Sequence, residues 1–161
     1  GDAILRCKKF INSKYFLMLL PDDLIMKKNC SESMLQIHKK YNSSVIASMK
    51  VKKNEVSRWG IFDLKKISKN NFHIKDVVEK PTIETAPSNY AVIGRYILPK
   101  KIFDVLKKQK PGRNGEVHIT DAIRSLVKRK NKFIGHVFAG KYLDCGTMSG
   151  YINSNIKIPK L

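Results

Sequence analysis

The stretch FLMLLPDDLI, from Phe16 to Ile25, combines the strongest fold signal of this 161-residue sequence with its most suggestive acidic pair. Its first five residues form a continuous apolar run, which is typical of a strand that is covered on both faces of a sheet. Pro21 cannot donate a ladder hydrogen bond and should end that strand. We therefore predict a strand in the centre of an α/β sheet, with Asp22 and Asp23 at its carboxyl edge.

Two interpretations of this acidic pair stay open on the residues alone. Open α/β sheets bind ligands at the carboxyl edge, and a carboxylate there suits Mg²⁺, which leaves its other positions to water and phosphates. Pro-Asp-Asp is equally typical of a turn that is followed by a helix cap. Asp144, in the stretch YLDCG, raises the same choice between a second ligand of one metal ion and a turn residue.

Glu79 and Lys80 stand before Pro81, at the end of another strand-like run. If the strand bends there, both side chains can line one cleft, as an acceptor for sugar hydroxyls and as a positive charge for phosphate. If it does not bend, they are solvated charges at an exposed strand end, because neighbours on a strand point to opposite sides. Gly60 interrupts a further strand-like run, which often marks a bulge or the close approach of a ligand.

Composition predicts a single domain, residues 1–161, with a sizeable core, because 42% of the residues are hydrophobic. We find neither a signal peptide nor a run long enough for a membrane helix, and we expect no membrane partner. The three cysteines are widely spaced, which predicts neither a disulfide framework nor a zinc site and fits the cytoplasm. The net charge is +19, but the lysines are scattered and no nucleic-acid-binding motif accompanies them. We therefore expect no nucleic-acid partner, and a basic nucleic-acid-binding module is kept only as an alternative.

Six motifs taken together resemble the bacterial UTP:glucose-1-phosphate uridylyltransferase (UDP-glucose pyrophosphorylase) family: LLPDDL, SRWGI, VVEKP, APSNYAVIGRYIL, GEVHITDAI and YLDCG. They occur in the family's order and approximate spacing, and the resemblance runs through nearly the whole sequence. It implies a nucleotidyltransferase fold, which is a Rossmann-like α/β fold with a mixed, mainly parallel sheet and helices on both faces. It also implies Mg²⁺-dependent transfer of UMP from UTP to glucose 1-phosphate, giving UDP-glucose and pyrophosphate.

The resemblance also implies roles for individual residues. Asp22 and Asp144 are similar to the family's two metal ligands, and Lys80 to the catalytic lysine that holds the sugar phosphate. Glu79 is similar to the acid that binds glucose hydroxyls. Gly60, Asn89 and Gly94 are similar to positions that form the wall near the sugar. Gly1 is similar to the last glycine of a loop beside the nucleotide base.

Two departures from the family pattern limit these expectations. The family's GxGTR loop and its activating lysine would lie upstream of Gly1, so we expect a fragment that is truncated at the N-terminus and inactive alone. GTMSGY replaces a more charged stretch at Thr147 and Met148.

The same motifs also suit a glucose-1-phosphate thymidylyltransferase, because base selectivity depends largely on the upstream region. We further expect a homo-oligomer, and uncovered apolar positions on strands such as residues 16–20.

Overall fold

The computed structural model describes residues 1–111 and 115–158. None of the helices in these ranges is long and apolar enough to cross a membrane. Two short 3-10 helices cover Lys8–Phe10 and Lys53–Arg58. The α-helices are α1 (Asp2–Arg6), α2 (Cys30–Tyr41), α3 (Ile102–Lys108), α4 (Ile119–Lys128) and α5 (Met148–Lys157). The strands are β1 (Tyr15–Leu19), β2 (Asp23–Met26), β3 (Ser44–Lys50), β4 (Gly60–Lys66), β5 (Asn71–Glu79), β6 (Tyr90–Pro99), β7 (Phe133–Val137) and β8 (Lys141–Asp144).

The strands form one six-stranded sheet, in the order β1-β6-β3-β7-β5-β4, and a separate ribbon of β2 and β8. The prediction of a mixed sheet is confirmed, but the prediction that it is mainly parallel is wrong. Within the described residues, β3 and β7 are the parallel pair and the other pairings are antiparallel. The physical reason is connectivity, because parallel neighbours need a long crossover, whereas β4, β5 and β6 follow one another without an intervening α-helix.

The position of β1 also differs from the prediction of a central strand. In the described sheet β1 lies at an edge and pairs with β6. Phe16 packs inward and stacks on Phe103 of α3, with their ring centroids 5.2 Å apart. Leu17 and Leu19 point the other way and are 38% and 50% exposed. The expectation of uncovered apolar positions on this strand is therefore confirmed, while its apolar run does not reflect burial on both faces.

Helices cover both faces of the large sheet, as predicted. One face packs against α1, α3 and α4, and the other packs against α2. Successive residues of β3 serve the two faces in turn, since Ile46 belongs to the first core and Val45 and Ala47 to the second. Asn29 caps α2 by accepting a hydrogen bond from the Glu32 N–H at 3.1 Å.

The contact between Gly135 of β7 and the ring of Phe72 of β5 tests this packing. Both residues are buried, and a Cβ added at Gly135 would overlap the Phe72 ring. We expect Gly135→Ala to lower the free energy of unfolding by about 1 to 3 kcal/mol, which is the usual cost of overpacking a core. Urea denaturation followed by circular dichroism measures this change.

The same substitution in a Phe72→Leu background is the control. The smaller, non-planar side chain leaves room for the new methyl group, so the cost of Gly135→Ala should shrink there. An equal cost in both backgrounds would show that the clash with Phe72 is not what limits this position.

Candidate functional site

Asp22 and Asp144 are far apart in sequence, and the β2–β8 ribbon brings them together. Asp23 of β2 pairs with Asp144 of β8, and the Cys145 N–H donates to the Asp22 carbonyl oxygen at 2.8 Å. Both carboxylates lie beside Gly146, where an added Cβ would stand 2.8 Å from Asp22 Oδ2 and 3.4 Å from Asp144 Oδ1. The two oxygen atoms are therefore no farther apart than the sum of these distances, and side-chain adjustment would bring both onto one Mg²⁺ at about 2.1 Å per Mg–O bond.

This donor set suits a hard cation. Carboxylate oxygens are preferred by Mg²⁺, which needs only one or two of them from the protein. Gly146 has no side chain, so the space between the two carboxylates is open on that side. Within residues 1–111 and 115–158 no group of three or more His, Cys, Asp and Glu side chains is placed to hold a metal ion. The arrangement therefore fits Mg²⁺ better than a metal that needs several protein ligands, and the roles of Asp22 and Asp144 stay predictions.

Asp23 turns its side chain the opposite way, into the protein. Its Oδ2 accepts a hydrogen bond from the Gly94 N–H at 2.7 Å, and its Oδ1 accepts one from the Tyr142 hydroxyl. Arg95 donates to the Asp23 carbonyl oxygen and, at 2.8 Å, to the Leu20 carbonyl oxygen. Burial raises the pKa of Asp23, although its two hydrogen bonds act in the opposite direction. Asp23 thus joins β2 to β6 and β8, an anchoring role that was not assigned from the sequence.

The Glu79 cavity lies next to this anchor and has a volume of about 210 Å³. Glu79 accepts a hydrogen bond from Thr120 Oγ1 of α4 at 2.8 Å. Gly60 pairs with Glu79 across β4 and β5, and an added Cβ on Gly60 would be 3.2 Å from Glu79 Oε2. Gly94 of β6 lines the same cavity. Three of the residues expected near the sugar therefore line one cavity, and these are Gly60, Glu79 and Gly94. The strands approach closely there because two of the three residues are glycines.

Lys80 follows directly after β5 and has a left-handed backbone, with φ of 43°. Its N–H donates to the Trp59 carbonyl oxygen at 3.0 Å, which holds the bent chain against the start of β4. The bend that the sequence left open is therefore present at Lys80 itself. The side chain is exposed and is not among the residues that line the Glu79 cavity. Its role with phosphate stays a prediction.

Asn89 and Gly1 lie outside the Glu79 cavity. The Asn89 side-chain amide donates to the Val51 carbonyl oxygen at 3.0 Å, so this residue ties the start of β6 to the end of β3. Gly1 packs against Val117 and lines a separate cavity of about 490 Å³. His118 and Ile119 line both that cavity and the Glu79 cavity, so the two adjoin. The assignments of Asn89 to the sugar and of Gly1 to the base stay predictions.

The Asp144 cavity, of about 370 Å³, contains residues that the sequence did not single out. Arg58 and Trp59 line both this cavity and the Glu79 cavity. Arg58 Nη2 lies 3.3 Å from Asp144 Oδ2, a contact across 86 positions of sequence that no local pattern reveals. Thr147, where the sequence departs from the family pattern, caps α5 by accepting from the Gly150 N–H at 3.0 Å and also lines this cavity.

Comparison with known proteins places this geometry in a family. The sequence model of the family described as Nucleotidyl transferase matches residues 1–160. The UTP–glucose-1-phosphate uridylyltransferase of Streptococcus pyogenes is 38% identical over 162 residues, which cover 97% of this chain and 53% of that protein. The enzyme of that name from Pseudomonas aeruginosa is 36% identical over 157 residues, covering 96% and 56%. The chain thus spans about half the length of these curated relatives.

A solved structure agrees with these sequence matches. The crystal structure of a UDP-glucose pyrophosphorylase complexed with UDP-glucose is 42% identical to this chain, with a TM-score of 0.91. The superposition covers 100% of this chain and 62% of that one. The prediction of a nucleotidyltransferase fold is therefore confirmed.

The hydroxyl of Tyr142 provides a test of the Asp23 anchor. Tyr142→Phe removes one hydrogen bond from a largely buried carboxylate and keeps the ring that packs against Trp59. We expect the free energy of unfolding to fall by about 1 to 3 kcal/mol, which is the cost of leaving a buried polar group without a partner. Urea denaturation at pH 7 measures the loss.

Tyr90→Phe is the matched control, because the Tyr90 hydroxyl makes no hydrogen bond within the described part of the chain. It should change stability much less. Equal effects of the two substitutions would show that the hydrogen bond to Asp23 does not stabilise the ribbon.

Proposed function

Because this chain belongs to the nucleotidyl transferase family, we propose that it acts in the transfer of UMP from UTP to glucose 1-phosphate, which gives UDP-glucose and pyrophosphate. The carrying observation is that Asp22 and Asp144 meet at Gly146 beside cavities that reach Glu79. The names of the matched relatives support the choice of UTP and glucose 1-phosphate as substrates. An acidic pair for a cation next to a cavity that has a few polar groups on a largely apolar wall suits a sugar phosphate and a nucleotide together.

The reaction needs alignment and charge neutralisation more than acid–base chemistry. A phosphate oxygen of glucose 1-phosphate attacks the α-phosphorus of UTP, and the bond from that phosphorus to the bridging oxygen of pyrophosphate breaks. The nucleophile is already an anion, so no general base is needed. The protein's task is to hold two anionic substrates in line and to offset the charge that develops.

Each site residue contributes to one part of this task. Asp22 and Asp144 would hold Mg²⁺, which when bound offsets the negative charge of the phosphates. Glu79, held in place by Thr120, accepts hydrogen bonds from sugar hydroxyls. Lys80, at the bent end of β5, brings a mobile ammonium group to the sugar phosphate.

Two alternatives lead to different measurements. A thymidylyltransferase would use the same residues for the sugar phosphate, so competition between UTP and dTTP distinguishes the two bases. The net charge of +19 favours a basic nucleic-acid-binding module as the second alternative. Its binding to random-sequence DNA would weaken steeply with added salt.

The metal carboxylates provide the main test of this proposal. Isothermal titration calorimetry should show that the chain binds UDP-glucose more tightly with Mg²⁺ than after EDTA treatment. Asp22→Asn and Asp144→Asn should each weaken the Mg²⁺-dependent binding by about tenfold or more, because each removes one anionic ligand.

Asp104→Asn is the matched control for these variants. Asp104 is an exposed acid of α3 that pairs with Lys8 at 3.0 Å and does not line the Glu79 or Asp144 cavity. It should bind UDP-glucose as the unsubstituted chain does. Binding that is indifferent to Mg²⁺, or equal in all three variants, would contradict the proposed metal site.

Lys80 is tested by separating binding from stability. Lys80→Ala should leave the melting temperature nearly unchanged, since an exposed lysine contributes little to folding. It should weaken glucose 1-phosphate binding by about tenfold, the typical value of a charge-assisted hydrogen bond to phosphate.

Lys75→Ala, at an exposed position of β5, should change neither quantity. A large fall in the melting temperature of Lys80→Ala with normal affinity would assign Lys80 to folding instead.

A further inference from the structure

Arg58 stands at the junction of the two cavities of the site. It lines both the Glu79 cavity and the Asp144 cavity, which few other residues do. Its Nη2 lies 3.3 Å from Asp144 Oδ2, and its Nη1 lies 3.7 Å from Glu55 Oε1. Its guanidinium carbon stands 5.5 Å from the ring centroid of Trp59. A ligand that occupies both cavities would therefore meet a cation that already contacts two carboxylates and an aromatic ring.

The pair between Arg58 and Asp144 is weak enough to exchange. The Arg58 side chain is 55% exposed, the contact is long for a charge-assisted hydrogen bond, and water screens such pairs. A divalent cation carries twice the charge and binds carboxylate oxygens directly. Because Asp144 is one of the two proposed cation ligands, a bound cation and the Arg58 guanidinium compete for one carboxylate.

We propose that Arg58 is a phosphate-binding residue that exchanges Asp144 for the phosphate of the sugar phosphate when a divalent cation binds. This rests on the proposed function, since it assumes a sugar phosphate in the Glu79 cavity. The planar guanidinium offers parallel donors that match two phosphate oxygens, which suits it to an anion at this junction. Trp59 lies beside the guanidinium, within cation–π distance, and lines the same two cavities.

The exchange has an energetic signature that a merely structural role lacks. A cation that occupies Asp144 frees Arg58 for phosphate, so cation and sugar phosphate each strengthen the binding of the other. Removal of the guanidinium then has effects of opposite sign. It weakens sugar phosphate binding, and it strengthens cation binding because the competitor for Asp144 has gone.

The experiment measures both affinities on the purified chain. Glucose 1-phosphate is titrated by isothermal calorimetry with and without MgCl₂, and MgCl₂ is titrated alone. Trp59 is the single tryptophan of the sequence, so its fluorescence gives a second, local readout of both titrations. The variants are Arg58→Gln and Arg58→Lys, with Arg6→Gln as the matched control. Arg6 is an 80% exposed arginine that pairs with Asp2 at 3.0 Å and lines neither cavity of the site.

In the unsubstituted chain and in Arg6→Gln, MgCl₂ should tighten glucose 1-phosphate binding. In Arg58→Gln the affinity for glucose 1-phosphate in MgCl₂ should fall by about tenfold, the affinity for Mg²⁺ should rise, and the coupling between the two should shrink. Arg58→Lys should keep part of the affinity, because it keeps the charge but loses the paired donors.

Three results would overturn the inference. The Arg58→Gln variant could bind glucose 1-phosphate as tightly as the unsubstituted chain, with the same coupling between Mg²⁺ and glucose 1-phosphate. That result would show that Arg58 does not contact the phosphate. Weaker binding of both ligands together with a lower melting temperature would show a structural role. Failure of the unsubstituted chain to bind glucose 1-phosphate under any condition would overturn the proposed function as well, so the two failures are distinguishable.

Discussion

The arrangement of the site depends on the hydrogen bonds of the partly buried Asp23 carboxylate. It accepts hydrogen bonds from the main chain of β6 at Gly94 and from the Tyr142 side chain of β8. A largely desolvated carboxylate is costly unless its oxygens are paired, so the surrounding elements hold one relative position. Asp22 stands outside this contact, exposed in the turn immediately before β2. The geometry of Asp22 and Asp144 thus depends on a neighbouring side chain that is not a proposed cation ligand and that also lines the Glu79 cavity.

Local patterns in the sequence predicted the elements better than their arrangement. The helices on both faces were implied by the family motifs, and the closeness of Asp22 and Asp144 follows from their positions after strand-like runs. Strand direction did not follow, because alternating helix and strand signals favour parallel crossovers and conceal a run of strands that turn back directly. The edge position of β1 was missed because an apolar run indicates hydrophobicity and does not indicate how many neighbours a strand has. Arg58 was missed because its partner Asp144 is distant in sequence.

The charge of the whole chain and the charge of the site have opposite signs. The whole sequence carries 32 Lys and Arg against 13 Asp and Glu, and such an excess produces a positive field that attracts phosphates from a distance. The site itself gathers acids, with Asp22, Asp23 and Asp144 on or beside the ribbon and Glu79 across the adjoining cavity. A carboxylate cluster would repel phosphates unless cations stood between them. Arg58 already provides one such cation next to Asp144.

The left-handed backbone at Lys80 also limits how this position can change. For a residue with a Cβ this conformation is less favourable than for glycine by roughly 1 kcal/mol, while glycine adopts it freely. Random mutagenesis that selects only for thermal stability would therefore tend to enrich glycine here and would discard the ammonium group. Selection for the proposed phosphate contact would act in the opposite direction. If Lys80 binds phosphate as proposed, the ammonium group at this position is kept at a cost in folding stability.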